Sequence, residues 1–359
     1  MDTSTDQPAS DRPEVRISDP GEIAAALPHL LGFHPRESVV LIGLGGPSGG
    51  RVGLTVRADL PHAHHAMAAA TLLTRSLRTD RPKAAVVVVV SEEPDLLDDR
   101  DQDVGPDRAA LPHRAVVHAL VLRLTAADIA VRDVLLVRGG RWWSYGCPCP
   151  CCLPGAGTPV PRGVSALAAA AVTTGQVLAA DRAALAARLD PSPGERSGVR
   201  AACVRVASER AARAREVGWT GSTEEAWTAV LEAVARCRPG EPSVPLPDDE
   251  LAAVLWALRD GRVRDRALSL ALGDDAAAAE ALWTECTRRG VPPLDAGPAT
   301  LLAVSVWLRG DGAMANVALD RALDSDPGCT LARLLRDGLD ACLTPGDLRQ
   351  LVRQAVDRL

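Results

Sequence analysis

The stretch AAVVVVV, residues 84–90, constrains the fold of this chain more than any other feature of its sequence. It contains a run of valines and no polar residue, so a strand formed here buries both of its faces. Valine also prefers a strand to a helix, because its branched Cβ restricts the side chain in a helix. Strands of this kind occur where helices cover a sheet from both sides. The run therefore predicts an α/β layer.

Strand and helix patterns alternate on both sides of this run, and a glycine-rich turn, GGPSGG (45–50), separates two of the strands. The predicted strands are residues 15–17, 38–44, 51–60, 84–92, 131–140 and 141–145. Three helices are predicted. The first begins with Asp19 as its N-cap and Pro20 as its first helical residue, and the other two cover residues 62–79 and 107–127. We therefore expect residues 15–165 to form an α/β domain with a mixed sheet, preceded by a disordered N-terminus at residues 1–14.

No strand pattern recurs after residue 165, and we expect residues 166–359 to be all-helical. The pattern W-x3-D-G-x5-A-L-x2-A-L occurs twice, beginning at Trp256 and Trp307, which lie 51 residues apart. The second copy also has the spacing of the second helix of a tetratricopeptide repeat, although Ala303 stands where that repeat has glycine. The sequence predicts a tetratricopeptide-like domain that binds a protein partner, with a plain helical bundle as the alternative.

Charge and hydropathy exclude two kinds of partner. The formal net charge is −6, and the arginines of residues 196–215 scatter around their helix, so we expect no nucleic-acid binding. No apolar run is long enough to span a bilayer, and the acidic N-terminus lacks the pattern of a signal peptide, so we expect a cytoplasmic protein without a membrane partner. Cysteines are reduced in that compartment, and a tight cluster of them is then interpreted first as metal-binding or catalytic.

Such a cluster occurs in RWWSYGCPCPCCLPGAGTPVP (141–161), where four cysteines stand within six residues. Zinc sites take ligands at C-x2–4-C, a spacing met by Cys147 with Cys151 and by Cys149 with Cys152. The adjacent pair Cys151 and Cys152 is expected to point its side chains apart. We therefore expect a half-site of two sulfurs, completed by a histidine or by a second chain. Thiol redox chemistry and a purely structural turn remain alternatives.

If a residue outside the cysteine loop completes the metal site, we expect it to be one of the histidines, all of which lie in the first half of the chain. None of them forms the H-E-x-x-H pattern of a zinc enzyme. We expect His34 to be the ligand, because GFHP (32–35) stands at a turn from helix to strand, where functional loops gather.

The sequence offers little evidence for a catalytic nucleophile. GPSGG (46–50) matches G-x-S-x-G, but the residues after Ser48 predict a strand, whereas a nucleophile elbow needs a helix there. No pair of nucleophile and base can be identified from the sequence.

Three separated motifs, LPHLLGFHPRESVVLIGL (27–44), RADLP (57–61) and the cysteine stretch, resemble an actinobacterial family known as domain of unknown function 4192. The resemblance covers most of the chain and is strongest over residues 15–165. It implies that Cys147, Cys151 and Cys152 are the usual thiols of the loop and that Cys149 is an extra one. It implies no activity, substrate or catalytic residue.

Two functions remain open at this point. The first is a non-catalytic binding or regulatory protein that contacts a protein partner through its helical domain. The second is an enzyme with a site, with or without a metal such as zinc, at the strand ends near the cysteine loop, where open α/β sheets bind ligands. The candidate binding residues, all at or just past predicted strand ends, are His34, Arg57, Asp59, Trp142 and Trp143. The candidate metal ligands are Cys147, Cys151 and Cys152, with Cys149 less favoured.

Overall fold

A computed structural model describes residues 19–45, 51–92, 111–162, 178–240 and 244–358. The chain divides into two compact units, one of residues 1–30 and 34–178 and the other of residues 31–33 and 179–359. Four predicted features lie outside the described residues: the disordered N-terminus, the strand at 15–17, the glycine-rich turn over 46–50 and the domain boundary after residue 165.

The first unit contains a six-stranded sheet, and its mixed character confirms the predicted fold class. Its strands are β1 (Ser38–Gly45), β2 (Arg51–Asp59), β3 (Ala84–Val90), β4 (Ala130–Arg138), β5 (Arg141–Ser144) and β6 (Thr158–Pro159). They lie side by side in the order β2-β1-β3-β4-β5-β6. The neighbours β3 and β4 run parallel, while β1 runs antiparallel to both β2 and β3, and β5 to both β4 and β6.

The valine strand β3 lies inside this sheet, and Val86–Val90 are buried. The described helices of the unit are α1 (Pro20–Leu31), α2 (Ala66–Leu77) and α3 (Arg114–Thr125). One face of the sheet packs on α2 and α3, where Val39, Leu41 and Val87 share a core with Leu77 and Leu120. The period-two geometry of a strand places alternate valines on opposite faces, so a strand without polar positions needs cover on both. The prediction of a doubly buried strand is confirmed by this burial.

Apart from an isolated β-bridge between Phe33 and Ala179, the described residues of the second unit contain helices and no strand. This confirms the predicted all-helical class of the second unit. Its helices are α4 (Arg182–Ala186), α5 (Glu195–Arg236), α6 (Asp248–Ala257), α7 (Gly261–Ala267), α8 (Ala276–Arg289), α9 (Ala296–Arg309), α10 (Gly312–Ser325), α11 (Thr330–Asp340) and α12 (Pro345–Val356). Helix α5 is kinked at Gly218, whose φ is 75°. None of the described helices has the length and apolar character needed to cross a bilayer.

The sequence repeat has a local structural cause. In each copy the tryptophan lies in the helix before a tight junction, and the aspartate caps the helix after it: Asp260 accepts from the Arg262 backbone N–H, and Asp311 from that of Met314. Aspartate is favoured at this position because its carboxylate accepts from backbone N–H groups that lack a partner in the first turn. The copies then diverge, since α7 ends at Ala267 in a 3-10 turn while α10 continues to Ser325. The tetratricopeptide-like character stays a prediction.

Candidate metal centre

Three cysteine sulfurs converge in the loop that follows β5. The Sγ atoms of Cys147, Cys151 and Cys152 all lie within 4.8 Å of one another. Among the described residues, no histidine or carboxylate belongs to this group or forms another group of three such ligands. We call these three cysteines the thiol cluster. They are the same three that the family resemblance implied.

Strand β5 positions the cluster through Trp143 and Ser144. The indole N–H of Trp143 donates to the Leu153 carbonyl at 3.2 Å, which ties the far side of the loop to the strand. The backbone N–H of Ser144 donates to the Cys152 sulfur at 3.3 Å. The Ser144 hydroxyl in turn donates to the Asp133 carboxylate on β4 at 2.7 Å. Neighbouring strands thus hold one sulfur of the cluster in place.

The return of the loop to the sheet depends on glycine. Gly155 and Gly157 have positive φ values of 84° and 68°, a backbone conformation that residues with a Cβ atom rarely adopt. The ring of Trp143 lies against Gly157 where a Cβ would stand. The Arg141 guanidinium donates to the carbonyls of Ala156 and Gly157 at 3.0 and 2.7 Å, which closes the loop against the start of β5.

The three thiols differ in exposure. Cys152 is 7% exposed and packs in a small core with Trp143, Leu136 and Val117. Cys147 is half-buried, and Cys151 is exposed. The cluster is therefore anchored in the core at one sulfur and accessible from solvent at another.

Hydrogen bonding and burial shift the pKa values of Cys147, Cys149 and Cys152 in different directions. The pKa of Cys147 is lowered, first because the Cys149 backbone stabilises its thiolate and then because the Cys152 side chain does so. Burial raises the pKa of Cys152 to about 11. The pKa of Cys149 is raised, mainly by its hydrogen bond to Cys147. Of Cys147, Cys149 and Cys152, Cys147 is consequently the thiol that most readily carries a negative charge.

One expectation about the loop was wrong. The adjacent cysteines do not point apart, since the Cys151 sulfur donates to the Cys152 sulfur at 3.8 Å. The cause is a 3-10 turn over Pro150–Cys152, in which the Cys152 N–H bonds to the Cys149 carbonyl at 3.0 Å. The turn converts an expected pair of sulfurs into a group of three. Cys149 is exposed and lies outside the group.

Soft thiolates select zinc, copper(I) and iron–sulfur clusters among biological metals. Three sulfurs from one short loop match the ligand type and the C-x2–4-C spacing of zinc sites, with Cys147 and Cys151 four residues apart. The backbone hydrogen bond to Cys152 is the kind of outer contact that orients a ligand. The residues present fit a thiolate-bound metal ion.

The two tryptophans of β5 have different environments. Trp143 packs on the core that contains Cys152. Successive strand residues point to opposite faces, and the Trp142 indole nitrogen lies 2.9 Å from the point where a Cβ on Gly21 would stand. Only Trp143 therefore contributes to the loop.

Arg57 and Asp59 lie away from the cluster. They stand on β2, which is separated from β5 by three strands, β1, β3 and β4. They form an ion pair of 2.6 Å, and the Arg57 guanidinium donates to the buried Ser38 hydroxyl at 3.0 and 2.8 Å. His34 is exposed before β1 and is not among the thiol cluster's ligands. Whether these residues bind a ligand of their own stays a prediction.

The sequence did not predict a polar network at the end of the sheet where β1 begins and β3 and β4 finish. The Glu37 carboxylate accepts from the Ser91 hydroxyl at 2.6 Å and from the Glu92 N–H at 2.7 Å. Glu92 in turn accepts from the Gly139 N–H at 2.8 Å and, through its carbonyl, from Arg138 at 2.8 Å. The contacts join the start of β1 to the ends of β3 and β4. A glutamate just before a strand carries no signal for this role until the strand order is known.

A mixed α/β unit with a three-thiol loop, followed in the same chain by an all-helical unit, defines a two-part protein with a candidate metal centre in its first part. The chain belongs to the family described as domain of unknown function (DUF4192), whose profile matches residues 20–346. Neither curated proteins nor solved structures give a match to this chain.

Proposed function

We propose that this is a zinc-dependent binding protein, in which Cys147, Cys151 and Cys152 hold the ion and the helical unit binds a protein partner. The observation that carries the proposal is the convergence of the three sulfurs within 4.8 Å. Thiolates that approach so closely repel one another, and a divalent cation between them removes that repulsion. A cytoplasmic location, which we also propose, would keep the thiols reduced and able to bind metal.

Zinc at this site would fasten the loop to the sheet. Cys152 belongs to the core around Trp143, whereas Cys151 is exposed on the 3-10 turn. An ion bound to both would cross-link the exposed turn to the buried side of the loop. Structural zinc contributes directly to folding free energy, because the unfolded chain has no such site.

A metal-assisted enzyme is the second candidate. Three protein ligands leave a fourth position free for water or substrate, as in catalytic zinc sites. Cys151 is exposed, so a fourth ligand could approach from its side. A general base would also be needed within reach of the ion, and the thiol cluster itself contains no histidine or carboxylate. We therefore favour the binding function.

Exposed apolar side chains support a partner for the helical unit. Trp219 is 82% exposed directly after the kink at Gly218, and Val204 and Leu334 are also exposed. Tryptophan is enriched among the residues that dominate protein interfaces. A pull-down with the full chain and its Trp219→Ser variant tests this part. We expect a retained protein to be lost with that variant and kept with Leu122→Ser, which changes an exposed leucine of the other unit.

Elemental analysis of the full chain, purified without chelator, tests the metal part. We expect one zinc ion per chain, lost in each of Cys147→Ser, Cys151→Ser and Cys152→Ser. Cys149→Ser is the matched control, since it changes an exposed cysteine of the same loop that lies outside the thiol cluster. Cobalt substitution adds a spectroscopic measure, because sulfur-to-cobalt charge transfer appears only with thiolate ligands. Protein free of zinc, or loss of zinc with Cys149→Ser alone, would contradict the proposal.

A further inference from the structure

We propose that the cysteine loop is also an oxidation site for hydroperoxides, at which a disulfide between Cys147 and Cys151 releases the metal ion. This inference rests on the proposed zinc function, whose regulation it describes. It is carried by the graded exposure of the three sulfurs, their short separations and the constraints on pairing them.

Exposure selects the sulfur that is attacked first. Cys151 is exposed, Cys147 is half-buried and Cys152 is buried. A hydroperoxide must approach a sulfur along a line that the protein leaves open, and susceptibility to oxidation follows exposure and thiolate character. Coordination to zinc keeps a thiol in its thiolate form. Cys151 is therefore the sulfur that reacts with the oxidant.

Pairing rules select its partner. A disulfide between Cys151 and Cys152 would close a small ring across one peptide bond, and strained disulfides of this kind are readily reduced. Cys152 is also held by the Ser144 N–H and by its packing against Trp143. Cys147 stands four residues before Cys151, and the two sulfurs lie within 4.8 Å of each other. The favoured disulfide thus joins Cys147 and Cys151.

The chemistry balances with one hydroperoxide for each disulfide. The Cys151 thiolate attacks the peroxide, so that a sulfur–oxygen bond forms and the oxygen–oxygen bond breaks, and the leaving oxygen takes a proton to become water or an alcohol. The Cys147 thiolate then attacks the Cys151 sulfenic acid, so that the sulfur–sulfur bond forms and hydroxide leaves as water after taking a proton. Two thiolates lose one electron each, and the peroxide gains both.

The metal ion loses two of its three protein ligands in this step. Cys152 alone would remain, and a single thiolate does not hold zinc against competing chelators. Cys152 keeps its place in the core around Trp143. Oxidation would therefore free the ion and the exposed turn while the sheet under the loop remains folded.

The test treats the zinc-loaded full chain with hydrogen peroxide in the presence of a chromogenic zinc chelator and follows zinc release. We expect release at least about tenfold faster than without peroxide, and one disulfide between Cys147 and Cys151 in peptide mass spectrometry. Dithiothreitol followed by zinc should restore the starting state. Cys149→Ser, the matched control, should release zinc with the rate of the unchanged chain.

Cys147→Ser removes the resolving thiol and, as expected above, the bound zinc. Cys151 is still exposed in this variant, and we expect a sulfenic acid there that a dimedone probe traps. Zinc that stays bound under excess peroxide, a disulfide that includes Cys149 in the unchanged chain, or sulfinic acid without a disulfide would each overturn the proposal. If the chain binds no zinc but metal-free protein still forms the disulfide between Cys147 and Cys151, the metal function fails and the oxidation site stands. The two failures are therefore distinguishable.

Discussion

At the scale of single residues, the loop depends on what stands beside the cysteines as much as on the cysteines themselves. Trp143 supplies a hydrogen bond to Leu153 and a flat surface against which Gly157 lies. At Gly157 the absence of a side chain leaves room for the ring. Here the pairing sets the point at which the loop turns back towards β6, and it makes Gly157 and Gly155 a matched pair for experiment.

We predict that Gly157→Ala lowers the free energy of unfolding more than Gly155→Ala does. Both residues have positive φ, so either alanine costs about 1 to 2 kcal/mol of backbone strain. At Gly157 the new Cβ would also overlap the Trp143 ring, which adds about 1 to 3 kcal/mol, while the position beside Gly155 is open. Urea unfolding followed by circular dichroism measures both values. Equal losses in the two variants would show that the tryptophan does not constrain the loop.

Residue spacing could predict part of the candidate site. The C-x3-C separation of Cys147 and Cys151 is visible in the sequence, and the three sulfurs in the structure match the set that the family resemblance implied. Spacing also admits Cys152 as a partner of Cys147 or Cys149, but it could not predict that Cys151 and Cys152 join Cys147 together, because that depends on a 3-10 turn that folds adjacent side chains onto one side. Pro150 at the start of that turn is the local signal that favours it, since proline fixes its own φ in the helical range.

At the scale of elements, the strand predictions succeeded where the hydrophobic pattern is local. The valine run fixes β3, and the apolar runs around it fix β1, β2 and β4. The order of the strands is not local information. Ser38 pairs with Asp59 on one side and with Val90 on the other, so residues distant in sequence meet at one edge of the sheet. This is why the network around Glu37 could not be predicted.

The alternation of strand side chains separates the two tryptophans of β5, and this consequence was available from the sequence. Trp142 pairs with Val137, and Trp143 with Leu136, in the antiparallel register of β4 and β5. Consecutive residues of a strand point to opposite faces. The prediction that RWWSY forms a strand therefore already implied that only one of the Trp142 and Trp143 rings could lie on the loop.

The helix junctions of the repeat give a prediction at this scale. We expect Asp311→Ala to lower the free energy of unfolding by about 1 kcal/mol, because α10 loses the side chain that accepts from the Met314 N–H at 3.0 Å. Asp311→Asn should remain close to the unchanged chain, since asparagine caps a helix as well as aspartate does. Chemical unfolding of the full chain measures both variants. If the asparagine variant loses as much as the alanine variant, the charge and not the cap is what stabilises the junction.

At the scale of the whole molecule, the candidate metal centre belongs to one compact unit only. All three sulfurs lie within residues 34–178 of the first unit, and the second unit has its own extensive apolar core. A ligand that binds only folded protein stabilises the part that must be folded to bind it. Zinc should therefore act on the stability of the first unit.

Differential scanning calorimetry of the full chain tests this expectation. At a free zinc concentration one hundred times its dissociation constant, we predict that the first unit gains about 2.7 kcal/mol. For a domain of this size, each kcal/mol raises the melting temperature by about 2 to 4 °C. The transition of the second unit should not move. Cys149→Ser should show the same zinc-dependent shift as the unchanged chain, and Cys152→Ser should show none.

The variants of the two units assign the transitions without any assumption about their order. Gly157→Ala lowers the melting temperature of whichever transition belongs to the first unit, and Asp311→Ala lowers that of the second, because each substitution lies within one unit. Zinc must then shift the transition that responds to Gly157→Ala. A zinc-dependent shift of the transition that responds to Asp311→Ala would mean that the ion is bound by the helical unit, and the thiol cluster would lose its proposed role.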